Sequence, residues 1–352
     1  MEDVQSQLNL HQPSPSSTLK TFTVGFDLPG AHNELAEARA TARYLGTDHH
    51  ELVVKPDAAE LLPKLAWHMD EPVADPAALP TYLICRFARE SVPVVLTGEG
   101  GDELLAGYPR YVWFDRAKTL QRRVPQWVRE RVLSASRAAP VGERYHRALE
   151  NVLAERSDLE RHLHWVPGLA PELRSELSHN RQPMTDDVVE RYLKPSSEHT
   201  IHRLMSLDIH TWLVDDVLHK MDRMSMATSV EARVPFLDHR LVEFVASLPL
   251  DVKLANLGTK TLLKHAMAPL LPRATVRRRK HAFQIPLDQW VAGPLHDFVH
   301  DTLLDKTARE RGWIDTTRLE DLLGNNGTRP KIDGQSVWTL LSLELWARAF
   351  LD

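Results

Sequence analysis

The amino-acid sequence predicts an α/β protein, in which a parallel sheet carries helices on both faces and a large helical portion follows. Short β-rich runs alternate with helical segments as far as residue 96, and this alternation is typical of parallel sheets. The third run, Val92–Leu96, is apolar throughout, as expected of a strand that is covered on both faces. After Tyr111 the apolar residues recur mostly at helical spacing.

The first two strands flank a helix. Thr21–Phe26 predicts the first strand, and Asn33–Leu45 predicts a helix because its alanines and leucines recur at helical spacing. Gly46 suits the left-handed position that ends such a helix. His50–Val54 predicts the second strand, so the chain passes through a β-α-β unit before its first long loop.

The sequence also predicts how the chain is divided. Two further helices are expected on either side of the proline-rich loop 70–80, one ending near Met69 and one over about Thr81–Glu90. The predicted parts are a flexible lead-in at 1–18, an α/β core at 19–111, a helical layer at 112–200, the remainder of the core at 201–294, and a helical tail at 295–352.

Composition narrows the classes of function. The chain has 352 residues and a net charge of −5, so no overall positive field attracts nucleic acid or an anionic membrane. No apolar run is long enough to span a membrane, and the first residues lack the features of a signal peptide. The single cysteine, Cys85, cannot form an internal disulfide. We therefore expect a cytoplasmic protein with no nucleic-acid or membrane partner.

The strongest local signal is the loop Thr97–Glu103, which directly follows the third predicted strand. Its three glycines allow the backbone to approach a ligand closely, at the edge of the sheet where open α/β folds bind ligands. Three carboxylates within five residues repel one another unless they meet cations, which suggests Mg²⁺. The alternative is a surface turn that begins a helix, where the helix dipole favours acidic residues such as Asp102 and Glu103.

A second signal is the segment Val214–His239, in which acidic and basic residues alternate. Asp216 and Lys220 are spaced as neighbours on a helix, and Asp222 lies close to the basic residues. A salt-bridged exposed helix is the alternative, but interleaved methionines indicate that part of the segment is buried.

Two weaker signals involve a lysine and a pair of histidines. Lys260 follows a small-residue loop and begins a helix, where its ammonium could reach a phosphate, although this is also an ordinary helix start. His296 and His300 share a helix face, but Asp297 stands where a metalloprotease has glutamate, and no third ligand is evident.

Taken together, six segments resemble the synthetase domain of the glutamine-dependent asparagine synthetases. They are, in chain order, TFTVGF, HHELVV, DEPVADPAALPTY, VVLTGEGGDELLAGYPRY, DDVLHKMDRMSMATSVEARVPFLDHRLVEF and GTKTLLKHAM. The resemblance extends from about Leu19 to Trp290. It implies an adenine-nucleotide alpha-hydrolase-like fold with ATP and Mg²⁺ as cofactors. It also implies that ATP adenylates the side chain of aspartate or another carboxylate, and that ammonia from glutamine then displaces AMP.

The resemblance assigns roles to individual residues. It places adenine at the backbone of Val24 and the nucleotide at Thr97 and Gly98. It makes Asp102 a Mg²⁺ ligand, and it makes Glu99 a carboxylate near the acyl centre that could act as the base for ammonia.

Four basic or acidic residues complete the implied site. Lys260 matches the lysine that stabilises charge on the α-phosphate in the transition state. Lys220 matches a position where some members have arginine, and Lys280 matches a basic position that follows the catalytic lysine. With Asp222, these residues are expected at the nucleotide. We predict that Glu99, Asp102, Lys220, Asp222 and Lys260 converge on one cleft.

The sequence also departs from the family pattern. No Ser-Gly-Gly-x-Asp-Ser loop precedes the first strand, residues 1–20 contain no glycine, and residue 2 is glutamate where the glutaminase domain has its cysteine. Alanine stands at 106 and 282, where glycine is usual. We therefore expect an N-terminally truncated member without the central strand. In that case, the first strand pairs directly with the third, or residues 4–12 fill the gap.

Two classes of function follow from these departures. One is an impaired amide-forming ligase. The other is a catalytically inactive pseudo-synthetase that acts as a binding or regulatory partner, associated with an intact homologue or a separate glutaminase.

Overall fold

A computed structural model describes residues 18–26, 33–54, 60–138, 149–156, 158–163, 168–169, 171–178, 199–254, 258–278, 285–324 and 332–352. Within these ranges the protein is a helix-rich α/β structure with four short strands. The strands are β1 (Lys20–Phe26), β2 (Asp48–Val54), β3 (Val94–Leu96) and β4 (Glu231–Arg233).

The helices of the first half begin with α1 and α2 around the β1–β2 unit and continue into the helical layer. They are α1 (Leu35–Leu45), α2 (Leu62–Met69), α3 (Ala78–Arg89), α4 (Gly101–Leu104), α5 (Pro109–Arg123), α6 (Gln126–Ala138), α7 (Asp158–Leu163) and α8 (Pro171–Leu177).

The second half contains one helix with π geometry, at Leu213–Leu218, and a short 3₁₀ turn, at Pro235–Leu237. Its α-helices are α9 (Thr200–His210), α10 (His219–Met226), α11 (His239–Ser247), α12 (Leu250–Lys253), α13 (Thr261–Met267), α14 (Arg273–Arg277), α15 (Leu287–Val291), α16 (His296–Leu303), α17 (Lys306–Arg311), α18 (Thr316–Leu323) and α19 (Gly334–Phe350).

The β-α-β unit forms as predicted. Strands β1 and β2 pair in parallel, with Val24 opposite Leu52. Helix α1 ends at Gly46, whose φ of 69° gives the left-handed conformation that glycine adopts without strain. Asn33 accepts a hydrogen bond from the Phe26 amide and donates one to the Phe26 carbonyl, so its side chain satisfies the backbone at the end of β1.

The prediction that the first strand pairs directly with the third is wrong. Among the described residues, β1 pairs with β2 and β3 pairs with β4, which gives two separate two-stranded parallel sheets. A cavity of about 1220 Å³ separates them and is lined by β1, β3 and α3. Residues 4–12, the other segment expected to fill this gap, lie outside the described residues.

The third strand is also less covered than predicted. Only three residues of Val92–Leu96 form β3, and the side chain of Leu96 is 71% exposed. Because one edge of β3 faces the cavity and the other pairs with β4, the apolar sequence has neighbours on fewer sides than a central strand would have.

One apolar core joins the β-α-β unit to the C-terminal helices. Phe26 of β1 meets Trp290 of α15 edge-to-face at 5.9 Å between ring centroids, and both belong to a cluster that also contains Val337 and Leu341 of α19. Helix α19 packs on α2 and α15. No helix in the described ranges is both long and apolar enough to cross a membrane.

The helical layer is attached through buried charges. Asp208 of α9 is fully buried, and its carboxylate pairs with Arg110 at 2.8 Å and with His162 at 3.1 Å. It also accepts a hydrogen bond from the Tyr111 hydroxyl. The guanidinium of Arg110 stacks over the Tyr108 ring at 4.2 Å. These contacts connect the segment after the glycine-rich loop to α7 and α9.

Cys85 provides a probe of the cavity. Its side chain lines the cavity from α3, and burial raises the pKa of the thiol to about 11. Because the thiolate is the reactive form, we expect alkylation at pH 8 to be slower than in the urea-unfolded chain by on the order of 10²-fold. The rate should rise about tenfold per pH unit up to pH 10. A plateau by pH 9 would contradict the buried position.

Candidate functional site

The glycine-rich loop packs closely against the 3₁₀ turn. Gly100 has a φ of 81°, and a Cβ there would lie 2.3 Å from Leu237, so glycine is required for both conformation and space. The loop begins where β3 ends, since the Thr97 amide donates to the Arg233 carbonyl of β4. This arrangement places Glu99 and Thr97 at the wall of the 1220 Å³ cavity.

An aspartate and a lysine from distant segments meet beside this loop. Nζ of Lys260 lies 3.1 Å from Oδ1 of Asp102, and the two side chains are 24% and 19% exposed. Lys260 occupies the left-handed region with a φ of 52°, at the residue before α13. Residues other than glycine rarely adopt this backbone conformation, and such strain is typical of functional sites.

Gly107 allows this ion pair to form. A Cβ at this residue would lie 2.0 Å from Oδ1 of Asp102 and 2.5 Å from Cε of Lys260. Neither approach is sterically possible, so any larger residue must displace one of the two side chains. Asp102, Gly107 and Lys260 therefore form one packed unit.

A second lysine lies in a more closed environment. Nζ of Lys220 is 2.5 Å from Oδ2 of Asp75, and the two side chains are 9% and 17% exposed. Oδ1 of the same aspartate accepts a hydrogen bond from the Ala77 amide, directly before α3. Burial alone would lower the pKa of Lys220, but the Asp75 carboxylate raises it above its usual value.

Two further carboxyl groups act on this ion pair. Asp216 belongs to the π-helix that leads into α10, and burial together with the neighbouring Asp75 raises its pKa to about 8. Glu99 interacts electrostatically with Asp216 and with Lys220, whose pKa it raises further. The carboxyl groups of Asp75, Glu99 and Asp216 thus all act electrostatically on one ammonium.

The structure brings some of the predicted site residues close together and leaves others apart. Glu99 lies within electrostatic range of Lys220, and Asp102 pairs with Lys260. Asp222 is exposed and lies two residues after the buried Lys220, about 200° around the helix, so its side chain is directed away from the cluster.

The remaining predicted residues lie at the ends of β1 and β3 or outside the described ranges. Val24 is partly buried and packs against the main core, and Gly98 is exposed with open space where a side chain would stand. Lys280 lies outside the described residues. In the basic run before it, Arg277 is exposed and Arg278 pairs with Glu34 at 2.5 Å.

The sequence did not single out Asp75 or Gly107, and it indicated Asp216 only as a helical neighbour of Lys220. A usable signal for Asp75 was its place between two prolines in DEPVADP, just before a helix. The histidine pair is not supported as a metal site: the rings of His296 and His300 stack at 4.4 Å. No group of three or more metal-binding side chains occurs in the described part of the chain.

Comparison of the sequence with known proteins shows the family of this chain. The sequence model of the family described as asparagine synthase matches residues 4–348. The chain belongs to the asparagine synthase family. It is 31% identical over 333 residues to asparagine synthetase [glutamine-hydrolyzing] 1 of Bacillus subtilis, which covers 94% of this chain and 52% of that relative.

Two other relatives cover similar shares of the chain. A putative asparagine synthetase [glutamine-hydrolyzing] of Mycobacterium tuberculosis is 32% identical over 350 residues, covering 95% of this chain and 51% of that relative. The amidase chyE of Penicillium rubens is 26% identical over 346 residues, with 90% and 51% covered. The chain thus spans about half the length of the curated relatives that it matches.

Replacing Gly107 tests the packed unit of this family member. We expect Gly107→Ala to displace Asp102 or Lys260, so that the distance between Nζ of Lys260 and Oδ1 of Asp102 in a crystal structure of the variant rises from 3.1 Å to beyond about 4 Å, the limit for an ion pair. The control is Gly46→Ala, which imposes left-handed strain at a residue with nothing within 4 Å of a new Cβ and should leave this distance unchanged. A distance near 3.1 Å in Gly107→Ala would show that the ion pair does not need this glycine.

Proposed function

We propose that this chain carries the site of an ATP-dependent, amide-forming ligase of the asparagine synthetase type. The supporting observation is the partly exposed Asp102–Lys260 pair beside the glycine-rich loop, in a chain that belongs to the asparagine synthase family. ATP activates a carboxylate, for which aspartate is the first candidate, and ammonia then forms the amide.

The first step is adenylation. A carboxylate oxygen of the substrate attacks the α-phosphorus of ATP, the bond to the bridging oxygen breaks, and pyrophosphate leaves with the electron pair. Lys260 suits the α-phosphate because its ammonium is partly exposed and is fixed by Asp102, three residues after Glu99 at the cavity wall. A fixed cation stabilises the charge that develops on the phosphoryl oxygens.

The second step is amide formation. The nitrogen of ammonia attacks the acyl carbon, the carbon–oxygen bond to AMP breaks, and a base takes the excess proton. Glu99 is the candidate base because it lines the cavity and lies beside a buried ammonium that favours its ionised form. Val24, Thr97 and Gly98 are the candidates for holding the nucleotide through the ends of β1 and β3.

The carboxylate of Asp102 fits Mg²⁺ in its donor chemistry. This ion prefers hard oxygen ligands and is commonly held by one or two carboxylates together with substrate phosphates. Asp102 offers one partly exposed carboxylate next to the lysine that we place at the phosphate. Bound there, Mg²⁺ would neutralise part of the phosphate charge.

The ammonia source is a separate part of the proposal. The names of the bacterial relatives include glutamine hydrolysis, and this chain spans about half of their length. We propose that ammonia comes from a glutamine-hydrolysing unit. Ammonium salts bypass that unit in an assay. A chain that binds ATP without turnover under these conditions would instead be a binding or regulatory partner.

Substitution of Lys260 tests the proposed function. We expect Lys260→Met to lower aspartate- and ammonia-dependent pyrophosphate release by about 10²–10³-fold, because a fixed cation at the developing charge is lost. The matched control is Lys306→Met, whose side chain is 85% exposed on α17. Equal rates in the two variants would remove Lys260 from the reaction.

A further inference from the structure

The two lysines of the site differ in what they can contact. Lys260 is partly exposed and lies 3.1 Å from Asp102, so a phosphate can compete for the ammonium. Lys220 is buried and lies 2.5 Å from Asp75. The geometry leaves Lys220 little freedom to reach a ligand but holds its charge at a fixed place.

Asp75 is itself held firmly. One of its carboxylate oxygens accepts from the Ala77 amide at 2.9 Å, and the other meets Lys220. The Asp75 carbonyl also accepts a hydrogen bond from the Ala78 amide, which begins α3. The aspartate therefore ties Lys220 of α10 to the first turn of a twelve-residue helix.

Asp216 completes the arrangement from the other side. It lies one turn before Lys220, in the π-helix, and the neighbouring Asp75 raises the pKa of its carboxyl group. Short π-helical segments occur frequently at functional sites, where they redirect side chains. Here the segment directs Asp216 toward a loop residue that is distant in sequence.

We propose that Asp75 and Asp216 are positioning residues that fix the Lys220 ammonium beside Glu99. Lys220 then serves as a permanent counter-charge for the Glu99 carboxylate and does not contact nucleotide phosphates. This inference rests on the proposed function, because it concerns the base of that reaction.

The charge balance of the cluster supports this assignment. Three carboxyl groups face one ammonium, and if all three were ionised their repulsion would favour protonation of Glu99. Burial and the proximity of Asp75 raise the pKa of Asp216 to about 8, so Asp216 keeps its proton at neutral pH. With Asp216 neutral, the Lys220 ammonium is shared by only two carboxylates, Asp75 and Glu99, so Glu99 can remain ionised.

Other charged groups near α10 are engaged outside the cluster. Arg223 pairs with the exposed Asp70 at 3.3 Å, and the His219 ring bonds to the Met69 carbonyl. On the packed helices α2 and α3, Lys64 donates to Tyr82, and His68 and the guanidinium of Arg86 lie over the same ring. On β4 and the π-helix, Glu231 pairs with Arg233, and Asp215 is exposed.

Carboxyl titration tests the proposal without requiring turnover. The 352-residue chain is labelled with ¹³C at the Asp and Glu carboxyl carbons, and NMR spectra are recorded between pH 4 and 10. We expect a transition near pH 8 that disappears in Asp216→Asn and moves down by at least one pH unit in Asp75→Asn. It should move up in Lys220→Met, because the ammonium favours the ionised form.

The Glu99 carboxyl, assigned with Glu99→Gln, gives the decisive result. Its pKa should rise by at least one unit in Lys220→Met, whereas Lys220→Arg should keep it near the wild-type value and guards against a misfolded variant. Asp215→Asn, an exposed neighbour, should change neither transition. A Glu99 pKa that is unchanged in a folded Lys220→Met variant would overturn the proposal.

Kinetics separate this proposal from the proposed function. In an active chain, Lys220→Met should shift the pH dependence of kcat and leave the KM for ATP within about twofold, whereas Lys260→Met lowers kcat at every pH. A tenfold rise in the KM for ATP in Lys220→Met would make Lys220 a phosphate ligand and overturn the proposal. The expected titrations without any pyrophosphate release would contradict the ligase function alone.

Discussion

The buried ion pair between Lys220 and Asp75 is the interaction on which the candidate site depends. It joins α10 to the loop before α3, and α3 in turn forms one wall of the cavity between the two sheets. Removing two charges from water is costly, and the pair is stable only because Asp75 also accepts a backbone amide and the distance is short. Loss of either partner would leave an uncompensated charge in the interior.

The two lysines of the site therefore have different roles. A closed pair supplies a fixed field, while the more open Asp102–Lys260 pair offers a cation and a carboxylate that ligands can approach. Packing enforces the second pair through Gly107 and the left-handed backbone of Lys260. One site therefore combines a stable electrostatic background with groups that can exchange partners.

The sequence predicted the local elements of the structure well. Strand β1, helix α1 with its terminal Gly46, and strand β2 follow from short-range patterns, because propensity and turn chemistry act over a few residues. Strand β4 was missed since Glu231–Arg233 follows a charged helical segment and has no apolar alternation. The division into two sheets was also missed, because strand pairing depends on contacts between distant segments.

The sequence predicted several residues of the site but not which of them contact one another. The glycine-rich loop and Lys260 carry local signals, and the resemblance supplied their roles. The local signal of Asp75, its place between two prolines before a helix, does not identify its partner, which appears only when α10 packs against that loop. Asp222 illustrates the reverse case, since an acidic residue adjacent in sequence to the site is turned toward solvent by helical geometry.

A double-mutant cycle on the Lys220–Asp75 pair tests the central claim most directly. The free energy of unfolding in urea is measured for the wild-type chain, Lys220→Met, Asp75→Asn and the double variant. The buried pair predicts that each single substitution costs about 3–5 kcal/mol and that the double variant is less destabilised than the sum by at least about 2 kcal/mol. Additive effects would contradict the account, because they would show that the two side chains do not interact in the folded protein.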